Sequence, residues 1–131
     1  MKYLRKYNES QWVPAGIKDL SLDIEDILLE FADSGLLTEV NIINNDICIY
    51  IATHQGPSKF CLDDEKRDAL MRTISLSEKH DMRYTACMGY PDTSIYIYPD
   101  DDRGVRSGGM KIPDDFAMNY IKINLTSKFN I

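Results

Sequence analysis

The chain has 131 residues, the size of one ordinary domain, with the 44% hydrophobic and 27% charged residues of a typical water-soluble globular protein. It contains no apolar run of the roughly 20 residues needed to cross a bilayer, and its start lacks the apolar stretch of a secretory signal. Its net charge of −6 argues against non-specific binding to nucleic acid or anionic lipid.

The three cysteines exclude two common kinds of site. Cys48, Cys61 and Cys87 are widely spaced and form no CxxC pair, so neither a zinc knuckle nor a thioredoxin-like motif is present. With only two histidines and no ligand spacing, we expect no metal and no cofactor. An odd number of widely spaced cysteines favours reduced thiols, which predicts a cytoplasmic location.

The first regular element follows an N-terminal segment, residues 1–18. Within SLDIEDILLEFADSG, apolar residues recur at the i, i+3, i+4, i+7 spacing of an amphipathic helix, and they are Ile24, Ile27, Leu28 and Phe31. We predict Ser21 as the N-cap of this helix and Gly35 as the left-handed residue just past its end. The helix opens a first αββ unit, residues 21–61.

The two strands of this unit come from the alternation that follows. Val40 and Ile42 alternate with polar residues, and Asn44 and its neighbours then supply a turn. The second strand carries Ile49-Tyr50-Ile51 and leads into a polar loop that contains His54.

A second αββ unit spans residues 63–98. Asp63 is predicted to cap a helix over residues 64–79, with Leu70, Met71 and Ile74 as its buried positions. A second hairpin follows and ends in SIYIY, residues 94–98, which repeats the IYI tripeptide of the first unit.

These elements predict an α+β fold in one domain, residues 1–131. The two αββ units form an antiparallel sheet with both helices on one face, in a permuted ferredoxin-like order. Residues 99–131 add a loop and a C-terminal strand over 116–125, with a short helix over 114–119 at the start of that strand.

The loop that leaves the second unit looks suited to phosphate. GVRSGGMK does not have the Walker A spacing, because Met110 holds the lysine position and no Ser or Thr follows Lys111. Asp100, Asp101 and Asp102 lack the alternation of a calcium loop. An anion site made by Arg103 and Arg106 stays open beside the alternative of a flexible polar loop.

Tyrosines on the last strand suggest a second use for this region. Tyr96 and Tyr98 lie on one face of the strand, as do the aromatic residues that stack on bases in RNA-binding sheets. The acidic balance of the chain and the missing basic-aromatic motif favour a protein partner or a second copy instead. Our candidate binding residues are His54, Tyr96, Tyr98, Arg103 and Arg106.

The opening MKYLRKYNES, residues 1–10, followed by a compact acidic domain, resembles the openings of many small uncharacterised proteins encoded by T-even-like tailed phages and their marine relatives. The resemblance covers those residues and the general layout. It implies an intracellular protein that acts in an infected bacterial host, and it carries over no functional residues.

Three functional hypotheses follow. The first is a small, non-enzymatic, cytoplasmic interaction or regulatory module that forms a homodimer through a sheet face or edge. The second is a hydrolase- or transferase-like enzyme whose site gathers the loops after the two IYI strands, with His54, residues 100–102, Arg103 and Arg106. The third is related to nucleic acid, either as an RNA-binding sheet or as an acidic mimic of DNA.

Overall fold

The computed structural model describes residues 15–54, 58–89, 93–99 and 103–127. Most of the predicted N-terminal segment lies outside these ranges, and so do Asp100, Asp101 and Asp102. No described helix is both long enough and apolar enough to span a membrane.

The first helix, α1 (Ala15–Ile27), begins well before Ser21. Ser21 is buried within the helix, where its hydroxyl donates to the Lys18 carbonyl at 2.7 Å. The prediction of Ser21 as the N-cap is therefore wrong. The reason is that Ile17 and Leu20 extend the apolar stripe one turn towards the N-terminus, and Leu20 is fully buried.

A short second helix, α2 (Leu29–Ala32), ends the helical segment at a Schellman motif. Gly35 has a φ of +85°, and its N–H donates to the Ala32 carbonyl at 3.0 Å. The Leu36 N–H donates to the Phe31 carbonyl at 3.2 Å, which completes the motif. The prediction for Gly35 is confirmed, and a side chain at this φ would be strained.

The first predicted hairpin consists of β1 (Leu37–Ile43) and β2 (Asp46–Ala52). Its turn has Asn44 at a φ of +57°, a conformation that asparagine tolerates better than most residues. The register runs without interruption from the Leu37–Ala52 pair to the Ile43–Asp46 pair, so the hairpin is confirmed as predicted.

A two-residue strand, β3 (Phe60–Cys61), precedes the third helix, α3 (Asp64–Lys79). Asp63 caps this helix by accepting a hydrogen bond from the Lys66 backbone N–H at 2.9 Å. The predicted cap and limits of the helix are therefore confirmed. Its predicted apolar positions lie in the core or against it: Leu70, Ile74 and Met71.

The second predicted hairpin consists of β4 (Met82–Met88) and β5 (Thr93–Tyr98). Ile95 and Ile97 are buried, whereas Tyr96 is 50% exposed. The expected separation of isoleucines and tyrosines onto opposite faces is confirmed.

The Arg-Gly run after β5 forms a third hairpin, made by β6 (Gly104–Ser107) and β7 (Met110–Lys111). Gly108 and Gly109 have φ values of +56° and +82° and supply its turn. The expectation of an irregular loop is wrong for this stretch, because β6 pairs with β5 and buries Val105 in the core.

The last two strands are β8 (Ala117–Met118) and β9 (Tyr120–Ser127). β8 pairs with β3 in a separate two-stranded sheet, where Met118 lies opposite Phe60 and both are buried. The short helix predicted over 114–119 is therefore wrong, because residues 114–115 form a turn and the ladder with β3 holds Ala117 and Met118 in an extended conformation.

The larger sheet has seven strands in the order β1-β2-β9-β4-β5-β6-β7, and every pairing in it is antiparallel. The C-terminal strand β9 lies at its centre, with Ile123 opposite Ile49 on one side and Ala86 on the other. The two predicted hairpins therefore do not pair with each other directly, and β9 joins them.

All the helices pack on the same face of the sheet. α1 contacts β1 and β2, and α3 contacts β4, β5 and β6. The core lies between these helices and the inward-facing isoleucines of the strands, such as Ile49 and Ile123, which are fully buried. The predicted α+β class, with helices on one face of an antiparallel sheet, is confirmed.

Candidate binding face

The sheet has an outer face, which is the side turned away from the helices. Side chains alternate along each strand, so the neighbours of the buried isoleucines point to this side. Among the described residues, many outer-face side chains are exposed to solvent: Glu39, Asn41, Tyr50, Arg83, Thr85, Ser94, Tyr96, Lys111, Lys122 and Thr126.

Positive charge dominates most of the outer face. Its cations are carried by β4, β6, β7 and β9, and they are Arg83, Arg106, Lys111 and Lys122. Strands β4, β5, β6, β7 and β9 contain no aspartate or glutamate. The outer-face carboxylates of the described strands are Glu39 and Asp46, on the first hairpin.

The negative charge of the described chain is concentrated in the helical layer. Residues 15–33, which cover α1 and α2, contain six acids and one lysine, Lys18. Since the helices and the outer face lie on opposite sides of the sheet, the net charge of −6 does not describe the outer face.

Two tyrosines stack where β2 meets β9. The rings of Tyr50 and Tyr120 are 5.9 Å apart between centroids and 26° from parallel. Tyr50 lies directly opposite Lys122 in the ladder, so a cation adjoins this aromatic pair.

Two more tyrosines lie on β5 with arginines beside them. The guanidinium carbon of Arg103 is 3.9 Å from the centroid of the Tyr98 ring, a cation–π contact. Arg106 lies opposite Tyr96 in the β5–β6 ladder, and its Nη2 donates to the Gly109 carbonyl. These contacts hold the two guanidinium groups beside the tyrosines.

The sheet has a gap between β4 and β5. Their pairing ends at Ala86 and Ile95, where a regular ladder would continue to Tyr84 and Ile97. Instead, the Tyr84 hydroxyl accepts from the Ile97 N–H at 2.9 Å and donates to the Ile97 carbonyl at 3.1 Å. The peptide groups of Tyr84 and Ile97 are thus held apart by a side-chain hydroxyl.

This gap coincides with a shallow cleft of about 310 Å³. Its lining includes Thr85 and Ser94, which supply hydroxyls, and Tyr96, which supplies an exposed aromatic ring. The cleft therefore combines hydrogen-bonding groups with a surface for stacking.

The outer face has no activated thiol at Cys48. Burial raises the pKa of the Cys48 thiol, the nearby Asp46 carboxylate raises this pKa further, and Lys122 opposes both effects in part. The thiol is therefore protonated at neutral pH and is a poor nucleophile. In the described ranges, no three side chains of His, Cys, Asp or Glu come together as metal ligands.

The structure brings four of the five predicted binding residues together. Tyr96, Tyr98, Arg103 and Arg106 all belong to the β5–β6 region, whereas His54 lies elsewhere. β2 is antiparallel to β9, β9 to β4, and β4 to β5, so β2 and β5 run in opposite directions. The C-terminal ends of β2 and β5 therefore lie at opposite ends of the sheet, measured along the strands.

This separation corrects the geometry expected for an enzyme site. His54, just past β2, and Arg103, just past β5, lie at opposite ends of the strands, so the described parts of the two loops share no pocket. His54 instead lines an open cleft of about 330 Å³ with Thr53 and Ser58. Next to it, a cleft of about 290 Å³ is lined by Phe116 and Met118 among others, and Lys59 borders both clefts.

Sequence reasoning missed several outer-face residues. Lys122 and Tyr120 belong to β9, and alternation in this strand already indicates that they point away from the core. What the sequence does not indicate is that β9 lies between β2 and β4, which places these side chains beside Tyr50 and Cys87. The role of Tyr84, which lies on the core side of β4, was also missed because nothing local shows where the β4–β5 ladder stops.

No protein-family model, no curated protein and no solved structure matches this chain.

Proposed function

We propose that the protein is a non-enzymatic interaction module that works as a homodimer, joined by antiparallel pairing of β1 with β1 of a second copy. The observation that carries this proposal is the position of β1 at the end of the seven-stranded sheet. The strand has seven residues, whereas β7 at the opposite edge has two. A long edge strand presents a row of peptide groups that another strand can pair with.

β1 lacks the features that usually protect an edge. It contains no proline, glycine, lysine or arginine, and its register with β2 has no bulge. Ile43 and Asp46 close a two-residue turn and so form a hydrogen-bonded pair. Alternation along the strand then points the peptide groups of Thr38, Val40 and Ile42 away from β2.

A second copy is a suitable occupant of this edge. Antiparallel pairing of two β1 strands has two-fold symmetry, so one strand meets itself in a closed dimer. Ile43 is 55% exposed on this strand, and burying it would add an apolar contact to the backbone hydrogen bonds.

The remaining features support binding rather than catalysis. The loops after the two IYI strands lie at opposite ends of the sheet along the strand direction, and Cys48 is not an activated nucleophile. The cysteines Cys48, Cys61 and Cys87 are all unpaired, which agrees with the proposed cytoplasmic location. The resemblance of residues 1–10 to phage proteins makes the bacterial cytoplasm the proposed setting.

The mass of the protein in solution tests the dimer. Light scattering coupled to gel filtration should give twice the 15.1 kDa of one chain. Thr38→Pro should give the monomer mass, because proline removes an outward-facing N–H while leaving the β1–β2 hydrogen bonds in place. A wild-type protein that stays monomeric as its concentration is raised would overturn the proposal.

Two further variants make the result specific. Thr38→Ala removes the same hydroxyl but keeps the N–H, so it should remain dimeric. If Thr38→Pro does not fold, Ile43→Lys tests the same edge with little effect on the monomer, because Ile43 is largely exposed. An Ile43→Lys protein that is as dimeric as wild type would exclude β1 as the interface.

A further inference from the structure

The outer face differs from the rest of the molecule in both charge and composition. It combines cations on four strands, Arg83 on β4, Arg106 on β6, Lys111 on β7 and Lys122 on β9, with no carboxylate on those strands. The acids of α1 and α2 lie across the sheet from it. An occupant of this face is therefore expected to be anionic.

The aromatic residues indicate that the occupant contains flat groups as well as negative charge. Tyr96 is 50% exposed in the middle of the cationic area, and the stacked Tyr50–Tyr120 pair lies at its β2–β9 side. A purely acidic peptide would pair with the cations but has no flat group to place on these rings. Nucleobases stack on aromatic side chains while their phosphates pair with lysine and arginine.

The gap between β4 and β5 adds hydrogen-bonding groups next to the most exposed ring. Because the Tyr84 hydroxyl takes the hydrogen bonds of the Ile97 peptide, the Tyr84 peptide is not paired with it there. The cleft at this point also contains the hydroxyls of Thr85 and Ser94. Peptide groups and hydroxyls can pair with the donors and acceptors on the edge of a base.

The exposed sheet surface indicates which form of nucleic acid would bind. A sheet surface lets a single strand lie across it with its bases turned towards the protein, whereas a double helix hides its bases in the stack. We propose that the outer face binds single-stranded nucleic acid, with one base stacked on Tyr96 at the β4–β5 gap and phosphates bound by Arg83, Arg106 and Lys122.

This proposal does not depend on the dimer. The cations and Tyr96 lie on β4, β5, β6, β7 and β9, whereas the proposed dimer uses β1 at the edge of the sheet. A monomeric Thr38→Pro variant should therefore still bind nucleic acid. An edge-to-edge dimer would place two such faces in one sheet and increase the apparent affinity for long strands.

Fluorescence anisotropy with a short labelled oligouridylate, and with the matching oligothymidylate, tests the proposal. Wild type should bind at low salt, and affinity should fall as salt rises, with a log–log slope of about −0.7 per phosphate contact. Tyr96→Ala should weaken binding at least about fivefold, and Tyr96→Phe should restore it, because phenylalanine keeps the stacking surface.

Matched variants distinguish binding at the outer face from a general effect of charge on binding. Lys122→Ala should weaken binding and lower the salt slope by about 0.7. Lys79→Ala, an exposed lysine at the end of α3 on the helical side, should leave both unchanged. Phe116→Ala is the control for Tyr96→Ala, because it removes an exposed ring that does not lie on the outer face.

Three results would overturn the proposal. The first is no binding of either oligonucleotide at low salt. The second is equal loss of binding in Lys122→Ala and Lys79→Ala. The third is tighter binding of polyglutamate than of the oligonucleotides, with no effect of Tyr96→Ala, which would assign the face to an acidic protein instead.

Discussion

Asp63 fixes the start of α3 through two local contacts. Its carboxylate accepts from the Lys66 N–H at 2.9 Å, and its other oxygen lies 3.1 Å from the Lys66 ammonium. The backbone hydrogen bond from Lys66 is the main cause of the lowered pKa of Asp63; burial, the next largest cause, opposes it, and the Lys66 ammonium lowers the pKa further. The carboxylate is 60% exposed, so the ion pair itself contributes little.

Asp63→Ala should lower the free energy of unfolding by about 1 kcal/mol at neutral pH, because the helix loses its N-cap. The folded-state pKa of Asp63 lies below its ordinary value of 3.8, so this contribution is present above that value and is lost as pH falls through the lowered pKa. Urea unfolding of both proteins across the acidic range measures the difference. Asp63→Ser keeps an acceptor and should stay close to wild type. A pH-independent difference would contradict this account.

Arg67 shows a side chain whose role no local pattern reveals. It is only 5% exposed, its Nε donates to the Leu62 carbonyl at 3.0 Å, and its Nη2 lies 2.6 Å from an oxygen of Asp114. These contacts tie the start of α3 to the segment before β8. A charged residue in a helix ordinarily predicts a solvent-facing position, and nothing in the local sequence indicates that Arg67 is buried and paired with Asp114.

At the scale of elements, the β4–β5 hairpin departs from a regular ladder. Tyr84 belongs to the core side of β4, and its hydroxyl takes both hydrogen bonds of the Ile97 peptide. Burial is the main cause of the raised pKa of this hydroxyl, which therefore stays protonated and able to donate across the neutral range.

Tyr84→Phe should lower the free energy of unfolding by about 1–2 kcal/mol, because the Ile97 N–H and carbonyl lose their partner. Because the folded-state pKa of Tyr84 lies above its ordinary value of 10.0, the contribution is present below that value and is lost as pH rises through the raised pKa. Urea unfolding and the amide exchange rate of Ile97 measure the effect.

Tyr96→Phe is the control for this prediction, because Tyr96 is on the same hairpin but faces outward. It should change stability by less than about 0.5 kcal/mol. If Tyr84→Phe leaves Ile97 exchange unchanged, the hydroxyl does not bridge the two strands.

For the whole molecule, β9 is the strand that unites the sheet. Ile123 is fully buried between Ile49 and Ala86, so each hairpin packs its inner edge against β9. The last described segment of the chain therefore completes both the core and the outer face, because the same strand carries Lys122 between Tyr50 and Cys87.

Ile123→Ala should lower the free energy of unfolding by about 2–5 kcal/mol, since it removes buried methyl groups and leaves a cavity at the centre of the sheet. Thr126→Ala, on the outer side of the same strand, should cost less than about 0.5 kcal/mol. Urea unfolding of the two variants gives the comparison. Equal costs would show that β9 is not a central strand.

Periodicity and local motifs predicted the structure correctly where neighbours in sequence are also neighbours in space. The helical stripe around Ile24, the Asp63 cap, the Gly35 terminus and both predicted hairpins follow from local chemistry, whereas the pairing of Tyr96 with Arg106 does not, because the β5–β6 ladder was not predicted. The capping prediction failed at Ser21, because a good capping residue is also tolerated inside a helix when its hydroxyl bonds to the preceding turn.

The sequence by itself determined the α+β class, the strands β1, β2, β4, β5 and β9, and the faces to which their side chains point, because these depend on spacing along the chain. Only the tertiary structure decided the strand order, since the pairing of β9 with β2 and β4 depends on contacts between residues far apart in sequence. That order places His54 and Arg103 at opposite ends of the strands and Lys122 beside Tyr50. The tertiary structure also places the acids of the helices and the cations of the outer face on opposite sides of the sheet.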